Sequence, residues 1–195
     1  MLLSRRSFLA AMPACAARTQ SAGCALPESA AGYRAAGLPP GVHVVPAVSY
    51  IGTGTLRRMK RFVHSGGILL FESGAAFASV DVHAEQRRLL RAHFGIEIGN
   101  AIELWKDGAR VPYVEYMWPM RVHVRDFSRA IPVTFVERGQ VIASLGAVPV
   151  AAARNIGDGT FVFIGSPLGP LLHAGDADAR RWLASVGQAL TARPS

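Results

Sequence analysis

The stretch from Val42 to Phe71 limits the fold of this chain more than any other. Val42-His43-Val44-Val45-Pro46-Ala47 is a short β-branched run of the kind a buried parallel strand needs. After a Ser/Gly/Thr loop, Leu56, Met59, Phe62 and Val63 recur at helical spacing with arginines on the opposite face, and Thr55 stands where an N-cap belongs. Gly66-Gly67 ends that helix, since glycine tolerates the left-handed turn at no steric cost, and Ile68 to Phe71 follows as a fully apolar strand. Strand, amphipathic helix and strand in this order predict a βαβ unit, hence a parallel sheet with a right-handed crossover.

The rest of the chain extends this pattern and then changes it. Val82 to Phe94 reads as a second helix with Leu89, Leu90 and Phe94 as its buried stripe and Gly95 as its stop. From Val111 to Trp118 and from Arg121 to Arg125 polar and apolar residues alternate with period two, and Pro132 to Phe135 and Val141 to Leu145 are short β runs around Arg138-Gly139. These predict antiparallel, partly exposed strands. Val148 to Arg154 and Thr160 to Ile164 flank Asn155-Ile156-Gly157-Asp158-Gly159, whose glycines suit a tight hairpin. Asp176 is placed to cap a last helix from Ala177 to Leu190 that buries Ala179, Trp182, Leu183 and Val186. The expected fold is α/β, a mostly parallel sheet flanked by helices with an antiparallel β extension in the C-terminal half.

Ahead of the domain, Ser4-Arg5-Arg6-Ser7-Phe8-Leu9 resembles the twin-arginine export signal of bacteria, with Ala10 where that pattern has lysine. The apolar run from Phe8 to Ala17 is too short to span a bilayer. Residues 1–24 are therefore expected to be an export signal, 25–40 a flexible linker rich in Ala, Ser, Gly and Pro, and 41–192 a folded periplasmic domain. The resemblance makes the export machinery a partner. Both cysteines, Cys15 and Cys24, lie before Ala25, so the domain has no disulfide, thiolate ligand or cysteine nucleophile of its own. Ser21-Ala22-Gly23-Cys24 is a little like a lipoprotein cleavage box, which makes Cys24 a candidate for lipid attachment. The formal charge is +8, densest at Arg57-Arg58-Met59-Lys60-Arg61 and Arg87-Arg88, but no aromatic residues interleave with it, so a nucleic-acid partner is not expected.

The run Thr55 to Leu70 resembles the helix, Gly-Gly and strand of the glutamine-amidotransferase-like superfamily, and Ala151 to Ser166 is similar to a later hairpin of the same group. That resemblance implies a flavodoxin-like domain. In active members the strand after Gly-Gly leads to a turn bearing a cysteine, supported by a histidine and an acid; here Phe71-Glu72-Ser73-Gly74-Ala75-Ala76-Phe77 has no cysteine. Amide transfer by a thiolate is thereby excluded.

Ser73 sits at the carboxyl end of an expected parallel strand, where ligands bind in open α/β sheets. It is a candidate nucleophile, with Glu72 as an acid or base and His173 on a Gly/Pro-rich loop as a base, or else part of a ligand-facing or capping turn. Gly74, Ser166 and the aromatics Tyr113, Tyr116 and Trp118 are the candidate ligand contacts, the aromatics as a stacking face for a sugar or as the cover of the sheet. The histidines are scattered, with no metal-ligand spacing, and neither metal nor cofactor is expected. The reading is an exported, non-catalytic amidotransferase-like domain that binds a small molecule, a glycan or an envelope protein. An envelope serine hydrolase and a scaffold component of an envelope assembly are the alternatives.

Overall fold

The computed structural model describes residues 27–38, 41–104, 113–125 and 129–191. Its first element is a helix, α1 (Pro27–Ala36), in the stretch expected to be a flexible linker. The βαβ unit follows as β1 (Val42–Val48), α2 (Thr53–His64) and β2 (Ile68–Ser73). Its strands pair in parallel, Val42 opposite Ile68 through Val45 opposite Phe71. The residue before the helix is Gly52 rather than the expected Thr55, and no side chain caps it. A 3-10 turn (Ala75–Phe77) leads to α3 (Val80–Phe94), where the Ser79 hydroxyl accepts from the Val82 amide and Gly95 closes the helix at φ 62°.

Short strands follow: β3 (Ile96–Ile98), β4 (Ile102–Glu103), β5 (Tyr113–Tyr116), β6 (Val122–Arg125), β7 (Arg129–Ala130) and β8 (Val133–Val136). Then come β9 (Gly139–Leu145), β10 (Val148–Ile156), β11 (Gly159–Ile164), α4 (Gly169–His173) and α5 (Ala177–Thr191). The Asp176 carboxylate accepts from the amides of Asp178 and Ala179, the expected cap of α5.

The main sheet runs β1-β2-β11-β10-β9-β5-β6. Only β1 with β2 and β2 with β11 are parallel; every other neighbour pair in it is antiparallel. The domain is therefore α/β with a mixed sheet, and the mostly parallel, flavodoxin-like arrangement expected from the sequence is corrected. The cause is the hairpin at Gly157-Asp158: it reverses the chain so that β11 returns beside β2 while β10 carries the sheet onward in antiparallel sense.

Each face of the sheet has its own core. Alternate residues of β2 divide between them, Ile68 and Leu70 on one side and Leu69 and Phe71 on the other. The first core is closed by Tyr33 of α1, Leu172 of α4 and Trp182, Leu183 and Val186 of α5. The second is closed by Leu56 and Val63 of α2, Leu89, Leu90 and Phe94 of α3, and Ile96 and Val133 of the β3 and β8 pair. Among the described residues no helix is long and apolar enough to cross a membrane. The paired arginines Arg5 and Arg6, and Cys15 and Cys24, lie outside the described residues.

Candidate functional site

Parallel strands β1, β2 and β11 all end at the same rim of the sheet, which is where open α/β folds gather their ligands. Two polar networks sit there. Consecutive residues of a strand point to opposite faces, so Glu72 and Ser73, both fully buried, enter different cores.

Glu72 lies under α1 and α4. One carboxylate oxygen accepts from the Ser29 hydroxyl at 2.8 Å, and both accept from the Gly169 amide at 3.3 Å. The Tyr33 hydroxyl, 3% exposed in residue terms, faces the same carboxylate but meets no acceptor at hydrogen-bond geometry among the described residues. Burial raises the Glu72 pKa to about 7; the Ser29 hydroxyl, the nearby Tyr33 phenol and the amides of Gly169 and Leu168 pull the other way without offsetting it. Burial first, and the Glu72 charge second, push the Tyr33 phenol well above its usual range. The carboxyl is therefore a group that holds or releases a proton near neutrality inside a dry site. The helix that covers it comes very close: a Cβ on Gly32 would run into the backbone of Gly169, and one on Gly169 into Ser29.

Ser73 faces α3. Its hydroxyl donates to the Gln86 side-chain oxygen at 2.6 Å and accepts from the Ala75 amide at 3.3 Å. The Gln86 amide group in turn donates to the carbonyls of Val48 and Ser49, at 3.2 and 3.3 Å. This chain of bonds ties the ends of β1 and β2 to α3. It presents no base to the serine, whose proton is already committed to an amide oxygen.

The residues proposed to act together are thus separated. Glu72 and Ser73 are on opposite faces, and the His173 side chain at the end of α4 is exposed. Gly74 is buried because its amide bonds to the Val48 carbonyl and a Cβ there would meet the Ala47 backbone. Ser166 is buried just beyond β11. The aromatics do not form one face: Tyr116 packs in the core with ring centroid 4.4 Å from Trp182, Tyr113 is exposed on the other side of β5, and Trp118 is half-buried, its carbonyl accepting from the Trp182 indole at 2.9 Å. Among the described residues, no three His, Cys, Asp or Glu side chains gather as a metal site. Ser29, Gly32, Tyr33, Gln86 and Gly169 escaped the sequence reading. Only the i, i+3, i+4 spacing of Ser29, Gly32 and Tyr33 marks one helix face in advance.

No protein-family model and no curated protein matches the chain. Several solved structures do. A GH42 β-galactosidase from G. stearothermophilus matches with TM-score 0.60 and 17% identity over 86% of this chain and 26% of its own. One from Bacillus circulans sp. alkalophilus matches with TM-score 0.51 and 18% identity over 74% of this chain and 23% of its own. A cytoplasmic protein from Salmonella typhimurium LT2 matches with TM-score 0.57 and 13% identity over 77% of this chain and 71% of its own. The chain spans about a quarter of the length of these β-galactosidases. At such identities the likeness is one of fold. It corrects the glutamine-amidotransferase-like assignment, because the fold neighbours are glycosidase segments and a small cytoplasmic protein, and the helix, Gly-Gly and strand that carried the resemblance occur here in a mixed sheet. The grammar of one βαβ unit is common to many α/β folds.

Proposed function

We propose that this chain is a non-catalytic α/β domain that works by binding a partner. The observation that carries the reading is the fate of Glu72 and Ser73: at the rim where an enzyme of this architecture exposes its reactive groups, both are fully buried and engaged in internal hydrogen bonds on opposite faces. Further support is that the fold neighbours comprise a quarter of a large glycosidase as well as most of a smaller protein, so the fold carries no fixed activity.

The test is turnover by the purified full chain with nitrophenyl esters, for the serine chemistry, and with a nitrophenyl β-galactoside, for the activity of the β-galactosidases that share the fold. No release of nitrophenol above the blank is expected. Release that disappears in Ser73→Ala or Glu72→Gln, with the circular dichroism of the variant unchanged, overturns the reading.

A further inference from the structure

Helix α2 carries Arg57, Arg58, Lys60, Arg61 and His64 and no acidic residue. Leu56 and Val63 mark its buried side, so the helical period sends Arg57, Arg58 and Arg61 outward, where all three are exposed, with Lys60 half-exposed on the flank. The neighbouring α3 adds Arg88. Its His93 is held below the ordinary histidine range first by burial and then by the charges of Lys60, Arg57 and Arg88, and the two helices contact each other. The acidic side chains nearby are taken or lie at the margins. Glu85 accepts two hydrogen bonds from Arg88, at 2.7 and 2.8 Å, and Glu97 pairs with Arg91 at 3.1 Å. Asp81 begins α3, and Asp158 sits by the carboxyl end of α2, its amide on the His64 carbonyl. Arg58 reaches the Thr55 hydroxyl at 3.0 Å. Among the described residues no carboxylate pairs with Arg57, Lys60 or Arg61.

The surplus charge is strung along a helix in an outer layer rather than gathered in a concavity, so it suits an extended plane of fixed negative charge better than one small anion. Nor does α2 offer a run of outward aromatics on which bases could stack: of its two rings Phe62 packs edge-on against His43 at 4.5 Å, and only His64 at its end is exposed. We propose that the outer face of α2 docks on an anionic lipid bilayer through Arg57, Lys60 and Arg61. This names the partner in the binding reading above and rests on it. Each Lys or Arg held near such a surface strengthens binding by roughly fivefold, so the three together account for about a hundredfold.

The experiment measures partition of the full chain onto vesicles of phosphatidylglycerol and phosphatidylcholine, and onto phosphatidylcholine alone, at low and high salt. Two variants are compared with it: Arg57→Gln, Lys60→Gln, Arg61→Gln, and a control with the same loss of charge at exposed positions elsewhere, Arg121→Gln, Arg125→Gln, Arg180→Gln. Residues before α1 are common to all three proteins, so any binding of theirs cancels. The expected result is salt-sensitive binding to the anionic vesicles that drops about a hundredfold in the α2 variant and stays near the parent value in the control. Equal binding by parent and α2 variant, equal losses in both variants, or no preference for anionic vesicles overturns the proposal. None of these outcomes alters the turnover assay, and turnover would refute the non-catalytic reading while leaving vesicle binding as measured.

Discussion

Glu72 holds a fully buried carboxyl group with donors around it and, among the described residues, no cation paired with it. Because its folded pKa, about 7, lies above the ordinary 4.5, the folded state keeps a proton that the unfolded state gives up. The sign follows: this group's contribution is fully present below pH 4.5, falls as pH rises from there to about 7, and is flat beyond. The loss is about 3 kcal/mol. Glu72→Gln keeps an acceptor for Ser29 and cannot ionise, so the stability difference between it and the parent should change by about that amount between pH 4 and 8 in urea titrations, the parent losing ground as pH rises. A difference independent of pH would mean that Glu72 titrates as an exposed carboxyl does. The sequence ends the apolar strand at Phe71 and groups Glu72 and Ser73 as one site just beyond it, whereas β2 runs on to Ser73 and adjacent strand residues part to opposite faces. Their actual partners, Ser29 and Gln86, come from helices that sequence proximity could not associate with them.

At the scale of elements, α1 is the part of the fold that composition hid. Its sequence, PESAAGYRAA, has one large apolar residue and no amphipathic stripe, so it reads as linker. The small residues that weaken the hydrophobic signal are what let it approach α4 closely, Gly32 over the Gly169 carbonyl and Ser29 onto Glu72. Gly32→Ala and Gly169→Ala should each destabilise the domain by about 1–3 kcal/mol in urea denaturation, since the added carbon meets backbone that cannot rotate away. Gly54→Ala is the matched control: it lies in α2 with open space at its Cβ position, and the change should be neutral or slightly stabilising. Elements with strong local grammar were legible throughout, among them the Gly95 stop, the Asp176 cap and the Gly157-Asp158 hairpin. Thr55 is not a cap but lies in the first turn of α2, which starts two residues earlier, at Thr53.

For the molecule as a whole, the same βαβ grammar gave the right local unit and the wrong global sheet. Strand sense beyond β2 depends on which strand returns to its side, and that is β11, whose alignment with β2 runs from Thr160 opposite Ile68 to Ile164 opposite Glu72. This return delivers Gly169 and α4 to the rim, where α1 covers Glu72. The rim is thus sealed by the protein's own helix rather than open as a reactive crevice. Hydrogen exchange by mass spectrometry tests it most directly. Amides within residues 29–36 are expected to exchange slowly, together with those of β2 and β11, as one cooperative unit with the core. Exchange of residues 29–36 at the rate of an unstructured peptide, while β2 and β11 stay protected, would show an open rim and contradict it.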